Sequence, residues 1–562
     1  MYRMKYRLPW LSLAGIAIVA LAGGCRSGRA PAEDISVTGA RGAAKRDKAA
    51  SSPRAHAHYA TGVLHEMNGE IDLALEAFRR ALSEDPASEA LVLQVSHRFL
   101  LNKRPEQALE ILRTAAARKT ASGEIHARLG SVYLLLGRGD EALLANQTAV
   151  KQSPLHLPAY QNLLMNLLQA KRAEEALQLL DSAAAVPGAD ADFLIGLADL
   201  YQNYLLQFPT QREAVDSRTK AVLRRAIELK PSQPESRLRL ADGLYRLGES
   251  EAASQIYLPL LDQIADLPLV RDSIRSKLVE IFLRSDDRSR ARQQLENVLR
   301  DDPSNPQAYY LLGSIAYEDK HWKEAAEYLR KTLMFAPAFE QAYYDLAAAQ
   351  LAGDDAPGAL GTLRRAEGRF APTFLSAYLS ALAEVRTKNF AEAIKHFTQA
   401  EIVAKASDPR RLGAEFYFEA GVAFERKGDR EEAVQYFEKA LALKSEFPEA
   451  QNYLGYMWAE RGENLERAKD LIEKALKVEP ESAAYLDSMG WVLFKLNQPK
   501  AALDYLLQAI QHTEEPDATL YDHLGDIYAA LNETGKALEA WRQSLAVEDN
   551  PEVRKKLPTG TP

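Results

Sequence analysis

The sequence predicts an all-α solenoid of about fourteen helix–turn–helix units, and three observations lead to it. Apolar and small residues recur at helical spacing with a period of 34 residues. A small residue opens almost every second helix: Ala74, Ala108, Ala142, Ala176, Ala253, Ala291, Ala325, Ala359, Ala393, Ala433, Ala468, Ala502 and Ala537, with Thr219 as the exception. Prolines at 86, 154, 231, 303, 337 and 480 follow second helices, where the ring blocks continuation. A chain of 562 residues is too long for one ordinary core, and the recurrence favours one extended array over several unrelated domains.

The unit is clearest between Tyr417 and Phe447. Tyr417, Ala420, Gly421 and Phe424 share one helix face, and Ala433, Phe437, Ala440 and Leu441 share another. Lys427-Gly428-Asp429 breaks the two runs and supplies a tight turn. Gly421 and Ala433 are small where two antiparallel helices cross closely, and Phe424 and Phe437 fill the space beside them. The unit resembles a tetratricopeptide repeat, and that resemblance implies a right-handed superhelical solenoid.

Taken in order, the chain begins with Arg3, Lys5 and Arg7, an apolar run from Leu11 to Ala22, and Ala22-Gly23-Gly24 before Cys25. This is similar to a bacterial lipoprotein signal, with residues 1–24 as the signal peptide and Cys25 as the lipidated residue. It departs from the usual pattern in having Ala22 where leucine is common, and the alternative is an uncleaved anchor helix. Cys25 is the sole cysteine, so the chain forms no intrachain disulfide and no cysteine metal site. Residues 25–54 lack apolar periodicity and read as a flexible tether, with seven Lys or Arg against three acids between Arg26 and Arg54. As a random coil that stretch spans roughly 30 Å.

Repeats then start at Ala55, Glu89, Gly123, Leu157, Ala191, Pro234, Asp272, Pro306, Glu340, Phe374, Ala414, Pro448, Ala483 and Ala518, and the array runs over 55–551. Extra residues near Gln207-Phe208-Pro209-Thr210 and near Ser407-Asp408-Pro409 interrupt the register, as hinges or as neutral insertions. Residues 552–562 read as a polar tail.

The terminal repeats carry a narrower resemblance. Asn452-Tyr453-Leu454-Gly455-Tyr456, Tyr485-Leu486-Asp487-Ser488-Met489-Gly490-Trp491 and Asp522-His523-Leu524-Gly525-Asp526 are similar to the carboxyl end of a bacterial family of tetratricopeptide-repeat outer-membrane lipoproteins. The resemblance implies a lipid-anchored protein of the envelope, facing the periplasm from the outer membrane. It further implies an adaptor that brings a carboxyl-terminal processing protease together with its substrates. A structural part of a secretion, pilus or polysaccharide-export machine is the alternative.

Chemistry is thin. No phosphate-binding glycine loop, HExxH, GxSxG or EF-hand pattern occurs, so the reading is non-enzymatic, with no cofactor, metal or small-molecule substrate. His56 and His58 are two apart and diverge on a helix, and Asp522, His523 and Asp526 read as a polar face, not an acid/base site. A net charge of -8 gives no basic excess for nucleic acid.

What remains is a groove for proteins or peptides. In tetratricopeptide superhelices the first helix of each repeat lines it, through its second, fifth, ninth and twelfth residues. The resemblance therefore places Tyr310, Tyr317, Tyr344, Tyr378, Phe418, Tyr456, Trp491 and Phe494 there, followed by Asp487, Asp522 and Asp526. Aromatic rings would anchor a partner and carboxylates would select basic segments. The same rings could instead be inter-helix packing.

Overall fold

The computed structural model describes residues 52–513 and 515–558. The signal peptide, Cys25, almost all of the tether and the last four residues of the tail lie outside them. The chain divides into two units, one ending at Gln294 and one beginning at Leu295, so the division falls inside a helix and at neither insertion.

The amino-terminal unit opens with the pairs α1 (Pro53–Met67) and α2 (Ile71–Glu84), α3 (Glu89–Leu101) and α4 (Pro105–Ala116), and α5 (Gly123–Leu135) and α6 (Gly139–Gln152). It continues with α7 (Leu157–Gln169) and α8 (Ala173–Ala184), α9 (Ala191–Gln207) and α10 (Arg212–Glu228), and α11 (Pro234–Arg246) and α12 (Ser250–Leu261). The pair α13 (Pro268–Arg284) and α14 (Arg288–Asp301) completes the first seven repeats.

In the carboxyl-terminal unit the pairs are α15 (Pro306–Glu318) and α16 (Trp322–Phe335), α17 (Glu340–Ala352) and α18 (Ala356–Glu367), and α19 (Phe374–Arg386) and α20 (Phe390–Ser407). Then come α21 (Ala414–Lys427) and α22 (Arg430–Leu443), α23 (Pro448–Arg461) and α24 (Leu465–Val478), α25 (Ala483–Lys495) and α26 (Pro499–His512), and α27 (Ala518–Ala530) and α28 (Thr534–Val547). A single short helix, α29 (Pro551–Lys555), follows. Among the described residues there is no strand.

The fold is thus an all-α repeat solenoid, and the repeat arithmetic places the starts of its first helices except at α1 and α13. Both exceptions start early on a proline at the first helical position, where its fixed φ suits the helix and its missing N–H has no intrahelical partner to lose. The extra residues near Gln207 lengthen α9 and α10 to 17 residues each and leave a 3-10 turn at Pro209–Gln211 between them.

The thirteen alanines that open second helices are all 0% exposed, and Thr219 in the same place is 1% exposed. Thr219 fits because its Oγ1 donates to the Val215 carbonyl at 2.8 Å, which satisfies the hydroxyl in the core. The small residue opposite is equally constrained: a Cβ on Gly421 would lie 2.9 Å from Phe437, and one on Gly455 would lie 2.9 Å from the Ala468 carbonyl oxygen. Burial passes from one repeat to the next instead of converging on a centre. One continuous core cluster runs from Ala414 on α21 to Ala540 on α28.

Beyond the last repeat, the segment read as a polar tail does structural work. Val553 of α29 is 1% exposed against Ala537 and Trp541, and closes the exposed end of the terminal repeat.

Candidate functional site: the first-helix face of the carboxyl-terminal repeats

Four of the eight expected groove rings are buried: Tyr310, Tyr344, Phe418 and Trp491 are 9%, 4%, 5% and 6% exposed. Position within a repeat tells which face a ring occupies but not how deep it sits. Tyr310 packs 4.6 Å from Phe339 and donates its hydroxyl to Asp345 Oδ2 at 2.8 Å. Burial pushes both the Tyr310 phenol and the Asp345 carboxyl above their ordinary pKa values. Tyr344 donates to Glu340 Oε1 at 2.7 Å, and burial with that bond pushes its pKa up to about 12. Phe418 is enclosed by Phe437, Phe447 and Tyr453 at 5.2–6.0 Å. The rings of Tyr310, Tyr344 and Phe418 therefore pack between helices.

Tyr317, Tyr378, Tyr456 and Phe494 are only partly buried. Tyr317 packs edge-on against Trp322 at 4.9 Å, and Tyr378 joins Phe374, Phe397 and Phe416 in an aromatic cluster. Both therefore belong partly to inter-helix packing.

The residues that do gather are those of the last three repeats, and they gather around His523, which the sequence reading left as part of a polar face. His523 is 4% exposed. Its Nδ1 lies 2.9 Å from Asp487 Oδ1 and its ring stacks on Trp491 at 3.9 Å and 13°. Glu460 Oε1 stands 4.0 Å from Nε2, and the Tyr456 ring centre is 6.2 Å away. Burial by itself would lower the imidazole pKa, but Asp487, helped by Glu460 and Asp522, outweighs it and holds the value above the ordinary one. On the same helix as Trp491, Phe494 stacks on it at 5.1 Å and the Lys495 ammonium lies 4.6 Å from its ring centre. Among the described residues the buried Trp491 indole Nε1 finds no hydrogen-bond partner. An unmade bond of this kind costs about 1–3 kcal/mol.

Asp522 and Asp526 differ from expectation. Rather than standing free to steer a basic partner, they hold Lys556, whose Nζ lies 2.8 Å from Asp522 Oδ1 and 2.7 Å from Asp526 Oδ1. Asp526 also accepts from Trp541 Nε1 at 3.0 Å. Burial opposes the charge on Lys556, but the bonds to the two carboxylates keep its pKa above the ordinary value. Lys556 follows α29 directly, so these acids fasten the terminal helix to the array. Nothing in repeat register pointed to it, because Lys556 lies outside the repeats.

His523 could have been found. Asp487 is the fifth residue of its repeat and His523 the sixth of the next, 36 positions on, and such offsets meet between adjacent first helices. Among the described residues no three of His, Cys, Asp or Glu form a metal-binding group, and no helix is long and apolar enough to cross a membrane.

Tetratricopeptide-repeat family profiles match residues 39–89, 277–343 and 418–477, residues 373–446, and residues 99–166. The chain is built of tetratricopeptide repeats. Solved structures with some likeness include the APC/C hetero-tetramer Cut9–Hcn1, at 15% identity over 84% of this chain and 95% of that one, with a TM-score of 0.37. A tetratricopeptide-repeat protein from Parabacteroides merdae shares 16% identity over 45% and 96%, with a TM-score of 0.36. The MamA protein shares 25% over 31% and 92%, with a TM-score of 0.28. Likeness at these scores identifies neither partner nor activity. A search of curated proteins returns no match. Tetratricopeptide repeats are typically non-enzymatic scaffolds for protein interaction, and no catalytic family is among the matches.

Proposed function

We propose that this tetratricopeptide-repeat chain is a lipid-anchored scaffold of a bacterial envelope that holds a polypeptide against the first helices of its last three repeats. The observation that carries the reading is the aromatic face in which the partly exposed Phe494 and Tyr456 stand against the Trp491–His523 stack. Phe494 and Tyr456 would supply contact area to a bound segment at small entropic cost, with Trp491 held rigid behind them by its stacking on His523. Glu460, about half exposed beside His523, favours a partner with a basic or amide-rich side chain there.

Membrane attachment is proposed from the basic start, the apolar run and Cys25. The similarity of the terminal repeats to envelope lipoproteins supports a carboxyl-terminal processing protease, or its substrate, as the bound protein. Fractionation of Cys25→Ser cells tests the anchor. Several acyl chains hold a protein on a bilayer almost irreversibly, so their loss should release it to the soluble fraction. A variant that remains in the membrane with its first residues uncleaved would show that an uncleaved helix is the anchor instead.

A further inference from the structure

Away from the first-helix face, the second helices of the eighth and ninth repeats carry a cluster of arginines that neither the repeat nor the proposed scaffold role requires. Arg330 on α16 and Arg364 on α18 are 34 residues apart, so the repeat period sets one beside the other on adjacent second helices. Arg365 and Arg369 join them around a cavity of about 670 Å³ whose floor includes Leu333 and Tyr343. The four guanidinium groups are the charged side chains that line it, and no carboxylate does.

Their partners are few. Arg364 Nη2 is 3.9 Å from Glu384 Oε1, the longest reach of an ion pair. The Arg365 guanidinium lies 5.9 Å from the Tyr343 ring centre, a contact that positions the group but leaves its N–H donors free. Arg330 and Arg369 have no ion pair among the described residues. Glu327 and Asp355 do not line this cavity; together with Arg330 they line a smaller neighbouring cleft. Four like charges at one concavity repel one another, and solvent screens that repulsion only in part. The volume falls in the range of pockets that take small ligands, about 300–1,000 Å³.

We propose that this cavity is an anion-binding site for a ligand carrying phosphate groups. Guanidinium forks match phosphate oxygens two at a time, and converging arginines are the usual way a surface recognises more than one phosphate. The phosphates come either from a free small molecule or from lipid head groups, and two arms separate these sources. In the first, calorimetric titration of the full chain with inorganic pyrophosphate should give saturable binding, weakened at least about tenfold in Arg330→Gln/Arg364→Gln, since each lost charge-assisted bond counts for that much.

In the second, vesicles containing phosphatidylglycerol are compared with pure phosphatidylcholine, and the difference between the two lipids is read, because any acyl anchor contributes equally to both. A preference for phosphatidylglycerol that the double variant loses assigns the site to head groups, and arginine-dependent pyrophosphate binding without it assigns the site to a free ligand. Arg542→Gln, exposed on α28, should change neither. Both changed arginines are exposed, so circular dichroism should be unaltered; if the pair does unfold, Arg369→Glu takes its place. The proposal is overturned if neither probe binds, if binding is the same in the double variant, or if the arginines instead retain polyglutamate in preference to pyrophosphate.

Discussion

At His523 two opposing effects meet, and their balance has a measurable sign. Burial favours neutral imidazole, whereas Asp487 at 2.9 Å, with Glu460 and Asp522 nearby, favours imidazolium; Lys556, bound to Asp522 and Asp526, shares only Asp522 with it. The net pKa is raised, so the protonated ring is the form the fold prefers. Its contribution is therefore fully present below the unfolded value of about 6.5 and is lost as pH rises through the folded value. Amide protection in α27, taken relative to the intrinsic exchange rate at each pH, should fall over that window in the native chain and change much less there in Asp487→Asn. Nuclear magnetic resonance should find that His523 titrates lower in that variant than in the native chain, because only Glu460 and Asp522 then oppose burial. A native His523 that titrates below the ordinary value would show that burial, not Asp487, governs the site.

Helix pairs depend on small residues in a way that is legible from sequence, because one missing side chain every 34 residues is a geometric requirement of close crossing. Ala433 is 0% exposed between α21 and α22, where Gly421 has no room for a Cβ beside Phe437. A tryptophan at 433 must push one helix away, at a cost of about 1–3 kcal/mol or more. Since each repeat touches mainly its neighbours, hydrogen exchange in Ala433→Trp should rise from α19 to α24 and remain native in α3–α6. Uniform loss of protection along the chain would contradict a solenoid. The turns were less legible. Gly428 and Gly462 take positive φ as glycine readily does, but Lys320, Lys388 and Asn497 adopt φ near 60° in equivalent turns, each at a cost of roughly 1–2 kcal/mol that flanking helix packing must overcome. Residue type alone does not reveal a conformation imposed from both sides.

For the whole molecule, the repeat count and most first-helix starts were readable because both follow from a local period. Depth was not. Tyr344 and Phe418 occupy groove positions by register yet sit in the core, since burial depends on how close the neighbouring first helices approach. Lys556 and α29 were hidden for a different reason: they belong to no repeat, and the acids they meet lie 30 and 34 residues earlier in the chain. The central claim is that a polypeptide occupies the face built by Trp491, Phe494 and Tyr456. The most direct test places a photo-reactive amino acid at Phe494 in intact cells, alone and together with Tyr456→Ala, which removes a partly exposed ring from the same face. The account predicts a light-dependent adduct with a distinct polypeptide, and a loss of it by about fivefold or more with Tyr456→Ala at unchanged circular dichroism, the worth of roughly 1 kcal/mol of aromatic contact. No adduct at 494, or one that Tyr456→Ala leaves intact, would contradict it.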